Sequence, residues 1–240
     1  MLYLISLGLI DKNDISLRAI EAVKRCDKLY FERYTNYYGS SNRELEKLFG
    51  KKIIELKRED VESYKLISEA KKGEIGLLVI GDVFSATTHS SLMLEALNKK
   101  IKVEIVHGSS ILTAVGETGL MLYNFGKTAS IPKENKNIES PYEILKRNKD
   151  LHTLFLLDLG LGFNEAIEYL LDIGKKKGEN VFDEKKLCVV CSFGKKKIIK
   201  LGIARDLIKI KINQKPQCLI VPGKLHFFEE EMLERWNISK

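Results

Sequence analysis

Ile75-Gly76-Leu77-Leu78-Val79-Ile80-Gly81-Asp82 decides how the N-terminal half of this chain is read. Six residues without a polar side chain run into Gly-Asp. A half-buried strand alternates polar with apolar residues, so a continuous apolar run marks a strand buried on both faces, the habit of parallel sheets covered by helices. Leu2–Leu9 is a second such run. Around these two, strands expected at Lys28–Glu32, Ile53–Leu56 and Val103–Val106 alternate with four helical patterns. The first carries Leu17, Ile20 and Val23 behind a cap at Asp14 or Ser16, and the second, Arg43–Phe49, stops at Gly50. The third runs through Tyr64–Lys72 to Gly73, and the fourth is Ser90–Lys99. This βαβα rhythm predicts an α/β fold with a mostly parallel N-terminal sheet. Ligands of such sheets bind outside the carboxyl ends of the strands, where the strand order reverses. Here those ends are Gly8-Leu9, Gly81-Asp82 and His107-Gly108.

Beyond residue 108 the pattern changes. Ser109–Gly119 reads as a helix of small residues, Lys127–Ile131 as a strand, and Lys133–Pro141 as a polar turn region. Thr153–Asp158 is a strand and Asn164–Ile173 a capped helix. Leu187–Cys191, Ile198–Ala204 and Cys218–Val221 follow as strands, the first two joined by Gly194-Lys195-Lys196-Lys197 as a hairpin. Strands without intervening helices predict a mixed sheet. Two α/β domains are expected, residues 1–108 and 109–240, with a cleft between them.

Composition narrows the classes. The chain has 240 residues, 44% hydrophobic and 30% charged, with only 4 prolines, so it is a globular chain rather than a disordered one. At this length roughly 70% of the unfolded surface can be buried, and no disulfide or metal staple is required. Forty Lys and Arg against 33 Asp and Glu leave a net charge of +7. The basic runs, Lys175–Lys177 and Lys195–Lys197 among them, sit at element ends without interleaved aromatics, so solvated turns explain them better than a nucleic-acid groove. The N-terminal MLYLISLGLIDKND lacks the basic region and cleavage site of a signal peptide. No stretch approaches the ~18–20 apolar residues of a membrane span. Cys188 and Cys191 have CxxC spacing, but residues three apart on a strand face opposite sides. Together with Cys26 and Cys218 they are expected as buried free thiols of a cytoplasmic protein, with no metal.

Three strand-end segments carry the chemistry. Gly81–His89 is dense in hydroxyls and places Asp82 at the expected crevice. His107-Gly108-Ser109-Ser110-Ile111 joins a strand to a helix whose start Ser109 or Ser110 can cap. Val221-Pro222-Gly223-Lys224-Leu225-His226 follows the last strand. The GxGxxG, Walker A, GxSxG and HExxH motifs are all missing, so classical dinucleotide, ATP, serine-hydrolase and zinc-protease chemistry loses support.

Taken together, Tyr3–Leu9, Gly81-Asp82 with Ala86-Thr87-Thr88-His89, Ser110-Ile111 with Ala114–Leu120, Tyr123–Lys127, His152–Leu154 with Leu156–Asp158, and Leu219–His226 resemble the diphthine synthases, members of the tetrapyrrole-methylase-like methyltransferases. The resemblance runs from residue 2 to about 230. It implies a homodimer with two α/β domains per chain and a methyl donor, S-adenosyl-L-methionine. It further implies that the acceptor is the amine of a 3-amino-3-carboxypropyl-histidine on elongation factor 2, with trimethylation as the product in the compact, archaeal-type form. Carried over position by position, the cofactor contacts are Leu9, Asp82, Ser85, Ser110, Ile111, Leu157, Phe193 and His226, and no catalytic group is assigned. Val83, Ser85 and Phe193 depart from the family pattern. Two other readings stay open: a related methyltransferase acting on ribosomal RNA or a tetrapyrrole, and a non-catalytic nucleic-acid-binding module.

Overall fold

The computed structural model describes residues 1–34, 36–57, 60 and 65–238. The chain divides into two compact units, Met1–Thr113 and a second that begins at Ala114.

In the first unit five strands form one sheet in the order β3-β2-β4-β1-β5. They are β1 (Leu2–Ser6), β2 (Lys28–Glu32), β3 (Ile53–Glu55), β4 (Ile75–Val79) and β5 (Val103–Val106), and every pairing is parallel. All five residues of β1 and of β4 are buried. Their side chains alternate between two cores, as the pleat requires. Tyr3, Ile5 and Leu7 lie on one face beneath α1 (Leu17–Arg25) and α2 (Asn42–Phe49). Leu2, Leu4, Leu77 and Val79 lie on the other beneath α3 (Lys65–Ala70) and α4 (His89–Asn98). Each fully buried Leu or Ile adds about 1.5–3 kcal/mol over its exposed state. Because α1 leaves β1 on one face while α4 leaves the adjacent β4 on the other, the connections part above β1 and β4. That parting creates the crevice at their carboxyl ends.

Local signals explain the helix limits. Ser16 caps α1 by accepting from the Ala19 N–H, and Ser41 and Glu44 form a capping box on α2, which Gly50 ends at φ +66°. Asp14, the other candidate cap, is used elsewhere. The packed face of α1 is Ala19, Ala22 and Val23, whereas Leu17 is 80% exposed, because small side chains let the helix lie close on the sheet. Tyr64, the start of the expected third helix, lies outside the described residues. The helix expected over Ser109–Gly119 is shorter: α5 covers Ile111–Ala114, and Val115–Thr118 tightens into a 3-10 turn. Thr118 accounts for the change, since its hydroxyl donates to the Val115 carbonyl and accepts from the Leu120 N–H, competing with helical bonds.

The second unit is a mixed sheet ordered β6-β7-β10-β8-β9. β6 (Ala129–Ile131) runs parallel to β7 (Thr153–Leu157). β10 (Cys218–Val221) is antiparallel to β7 and to β8 (Leu187–Phe193), and β8 to β9 (Lys197–Ile203) as the expected hairpin. One face is covered by α6 (Ser140–Asn148), α7 (Phe163–Lys177) and α8 (Ala204–Leu207). The reading of Lys133–Pro141 as turn missed α6. Pro141 fits its first turn, where no N–H is needed, and Tyr142 and Leu145 form its buried stripe. α7 starts one residue early, at Phe163: Glu165 accepts from the Gly162 N–H. Asn164, the residue expected to cap it, instead donates to the carbonyls of Ile208 and Ile210. α9 (Phe227–Leu233) also escaped the sequence reading, because only Glu229 and Leu233 are buried and no apolar stripe announces it.

All four cysteines are free and buried, and burial pushes the Cys26 thiol up to about 12. Cys188 packs into the helix-covered core, while Cys191 stands opposite Cys218 on the neighbouring strand. Lys175–Lys177 occupy the last turn of α7, where Lys177 bridges Glu139 and Glu143. Among the described residues no helix is long and apolar enough to cross a membrane.

Candidate active site

The carboxyl ends of β1, β4 and β5 are stitched into one network within the first unit. Gly8 and Gly81 extend the β1–β4 pairing by exchanging hydrogen bonds, the Gly81 N–H to the Gly8 carbonyl at 2.8 Å and the reverse at 3.2 Å. Gly8 sits at φ +79°, and a Cβ there would lie 2.4 Å from the Cβ of Asp14, so no side chain is admissible. The turn it permits sends the Leu9 N–H to both Asp14 Oδ2 and Ser109 Oγ, each at 3.1 Å, and the Ile10 N–H to Asp14 at 2.6 Å. Ser6 Oγ accepts from the Val83 N–H at 3.0 Å and so ties β1 to the loop after β4.

Asp82 organises the crevice. Its Oδ1 accepts from the Phe84 N–H at 3.0 Å and from Ser85 Oγ at 3.4 Å, an Asx-type turn. Its Oδ2 accepts from His107 Nδ1 at 2.8 Å and from the Gly108 N–H at 3.2 Å. This reach crosses the end of the intervening β1. It is possible because Gly108 has no side chain, since a Cβ there would stand 2.8 Å from Ser6 and 3.2 Å from the backbones of Gly8 and Gly81. Burial alone would raise the Asp82 pKa, but the donors from Phe84, His107 and Gly108 outweigh it and hold the carboxyl below its ordinary value. Four donors fill the carboxylate, so Asp82 shapes the loop that carries Phe84 and Ser85 and ties it to His107 and Gly108 at the end of β5.

Behind this layer, the buried His89 bonds the Val83 carbonyl through Nδ1 at 3.1 Å and Glu32 through Nε2 at 2.7 Å. Burial disfavours the charged ring, yet the Glu32 carboxylate overcomes it and raises the His89 pKa. Ala86 adopts φ +61°, a left-handed conformation that costs about 1 kcal/mol in a non-glycine residue. Ser110 caps α5 by accepting from the Leu112 N–H at 3.0 Å, and Ile111 is the first helical residue.

Five of the eight expected contact residues, Leu9, Asp82, Ser85, Ser110 and Ile111, therefore belong to these three strand ends. The other three lie in the second unit. Leu157 ends β7 and Phe193, 4% exposed, ends β8, at the sheet end where β10 begins. His226 follows β10 and leaves from the opposite end, beside Val221, which pairs with Thr153. There it caps α9: its backbone N–H donates to Glu229 at 2.8 Å, and its Nδ1 accepts from the Phe228 N–H at 3.4 Å. Glu229 also takes the Met121 N–H and buried His152. Burial works against that charge, but the three donors bring the Glu229 pKa down to about 2.

Sequence reading assigned no role to Glu32 or Glu229, gave Asp14 and Ser109 only as candidate helix caps, where they instead hold the turn after Gly8, and left His107 without a partner. His107 had a visible signal, a titratable side chain at a strand end, but its bond to Asp82 depends on a strand order that periodicity does not encode.

The family model for Tetrapyrrole (Corrin/Porphyrin) Methylases matches residues 1–188. A diphthine synthase from Methanocaldococcus jannaschii is 43% identical over 98% of each chain. A protein from Arabidopsis thaliana, designated a probable diphthine methyl ester synthase, is 40% identical over 98% of this chain and 97% of its own. The crystal structure of an Entamoeba histolytica protein assigned as a diphthine synthase superposes with a TM-score of 0.92 at 34% identity, covering 100% of this chain and 99% of that one. With more than half its length matched by the family model and relatives near 40% identity end to end, the chain belongs to the tetrapyrrole methylases and, within them, to the diphthine synthases.

Proposed function

We propose that this chain uses S-adenosyl-L-methionine to trimethylate the amine of the 3-amino-3-carboxypropyl-histidine on elongation factor 2, a step of diphthamide biosynthesis. The observation that carries the reading is the Asp82-centred network at the strand ends of a chain 43% identical to a diphthine synthase. When bound, the cofactor supplies an electrophilic methyl group on a sulfonium sulfur.

The residues fit such a group. A Cβ at Gly81 would meet nothing within 4 Å, so the backbone is open to a ligand there. Leu9 and Ile111 would supply apolar walls for the cofactor, and Ser85 offers a hydroxyl. Asp82 keeps these groups in place rather than spending its full carboxylate on the cofactor. Leu157, Phe193 and His226 are assigned to the same cofactor on the strength of the resemblance. Holding the acceptor amine in line with the methyl group in a water-poor site supplies several kcal/mol of the barrier reduction, which suits a site without a covalent nucleophile.

Elongation factor 2 bearing the unmethylated modification, incubated with the chain and S-adenosylmethionine, is expected to gain three methyl groups by mass spectrometry. No gain overturns the reading. The plant relative favours a second product, a methyl ester; a methyl group released by mild alkali would mark it. Calorimetry of Asp82→Asn and His226→Ala tests the site: unchanged cofactor affinity in both, with the fold intact, removes those residues from it. The four unpaired thiols and a translation-factor substrate suit a reducing cytoplasm. A homodimer is proposed on the resemblance, and a monomer mass in sedimentation would refute it.

A further inference from the structure

At neutral pH the acceptor of this reaction is an ammonium, since alkyl amines titrate near 10. Its lone pair must be freed before each methyl is taken, and one proton leaves for each methyl that arrives. The four histidines of the chain differ in what they can do with such a proton. His89 has both ring nitrogens on acceptors, Glu32 and the Val83 carbonyl, and is 3% exposed. His152 is fully buried with Nδ1 accepting from Gly223 and Nε2 donating to Glu229. His226 is exposed, but its Nδ1 accepts from the Phe228 N–H, so the neutral ring carries its proton on Nε2 and has no lone pair to offer there.

His107 is the reverse. Asp82, an ionised acceptor, takes the Nδ1–H at 2.8 Å, which leaves Nε2 as the bare nitrogen of the neutral ring. The side chain is 70% exposed, and Nε2 has no hydrogen bond among the described residues. Among the described residues Asp82 is the charged group hydrogen-bonded to the ring. Phe84 flanks His107 with ring centroids 6.3 Å apart.

We infer that His107, oriented by Asp82, is the proton acceptor for the incoming ammonium; the inference rests on the methyltransferase reading above. The proton passes from the ammonium nitrogen to His107 Nε2, and the resulting imidazolium is stabilised by the Asp82 carboxylate. The freed nitrogen lone pair forms the new N–C bond, the methyl–sulfur bond breaks with its electron pair kept by sulfur, and His107 returns its proton to solvent before the next round. Positioned acid–base groups of this kind contribute about 10²–10⁴-fold.

Two measurements test it. In the free chain, ¹⁵N spectra of the imidazoles are expected to show His107 protonated at Nδ1 and bare at Nε2; the opposite tautomer overturns the inference whatever the activity. His107→Asn, which keeps a donor where Nδ1 stands, is expected to lower kcat about 100-fold at pH 7 with cofactor Kd unchanged by calorimetry. The deficit should shrink as pH rises and the amine deprotonates unaided, and added imidazole should restore part of the rate to His107→Ala. A His107→Asn variant with wild-type kcat, or one that loses cofactor binding, overturns the inference and leaves the methyltransferase reading standing. A wild-type chain that transfers no methyl overturns both.

Discussion

Among the described residues each unit contains one buried glutamate–histidine pair, and the two are built differently. Glu32 and His89 in the first unit meet at 2.7 Å, and His152 and Glu229 in the second at 2.9 Å, with all four side chains buried. The difference is one backbone group. His89 Nδ1 faces a carbonyl, so both nitrogens donate and the ring is cationic; His152 Nδ1 faces the Gly223 N–H, so the ring is neutral. Identical residue types at equal burial thus give an ion pair in one unit and a neutral ring against an ionised carboxylate in the other. Both pairs stand behind candidate site residues, since His89 holds the Val83 carbonyl next to Asp82 and Glu229 holds the His226 N–H.

The largest effect that would break this comparison is Glu32→Gln, which strips the counter-charge from a buried imidazolium. It is expected to cost about 3–5 kcal/mol in urea denaturation. Glu229→Gln keeps a carbonyl for Met121 and His152 but turns an amide towards the His226 N–H, and should cost about 1–3 kcal/mol. A Glu229→Gln loss equal to or above that of Glu32→Gln would refute the charge assignment.

Stability against pH separates the pairs further. The His89 pKa is raised, so its contribution is fully present below the ordinary histidine value of 6.5 and lost as pH rises through the folded value. Glu229 is lowered, so its contribution is present above 4.5 and lost as pH falls towards about 2. Thermal melts of wild type and the two variants should show the Glu32→Gln difference fading in alkali and the Glu229→Gln difference fading in acid. The smallest effect is expected at the surface. Lys197 and Glu117 are 51% and 48% exposed, and Lys197→Ala should change stability by no more than about 1 kcal/mol. A larger change would show that the distinction between buried and surface pairs is drawn too sharply.

Much of the architecture was legible because burial leaves a local trace. The apolar runs at Leu2–Leu9 and Ile75–Ile80 became β1 and β4, and Gly50 ended α2 as a left-handed cap. Helices without such a trace were missed, as α9 shows with its exposed Phe227 and Phe228 and its single buried leucine. At the site, Asp82 and Ser110 were found from their place at strand ends, but their partners were not. Asp14 was expected to cap a helix and instead holds the turn after Gly8.

The sequence by itself determined that a parallel sheet would end in Gly8-Leu9, Gly81-Asp82 and His107-Gly108, because strand periodicity and glycine turns are properties of a few consecutive residues. Only the tertiary structure decided that β1 lies between β4 and β5, so that Asp82 reaches across two glycines to His107. It also decided which partner each histidine nitrogen faces, and that His226 leaves its sheet at the end away from Leu157 and Phe193. These depend on groups brought together by long crossovers, and a hydrogen bond between distant residues has no signature in the spacing of either one.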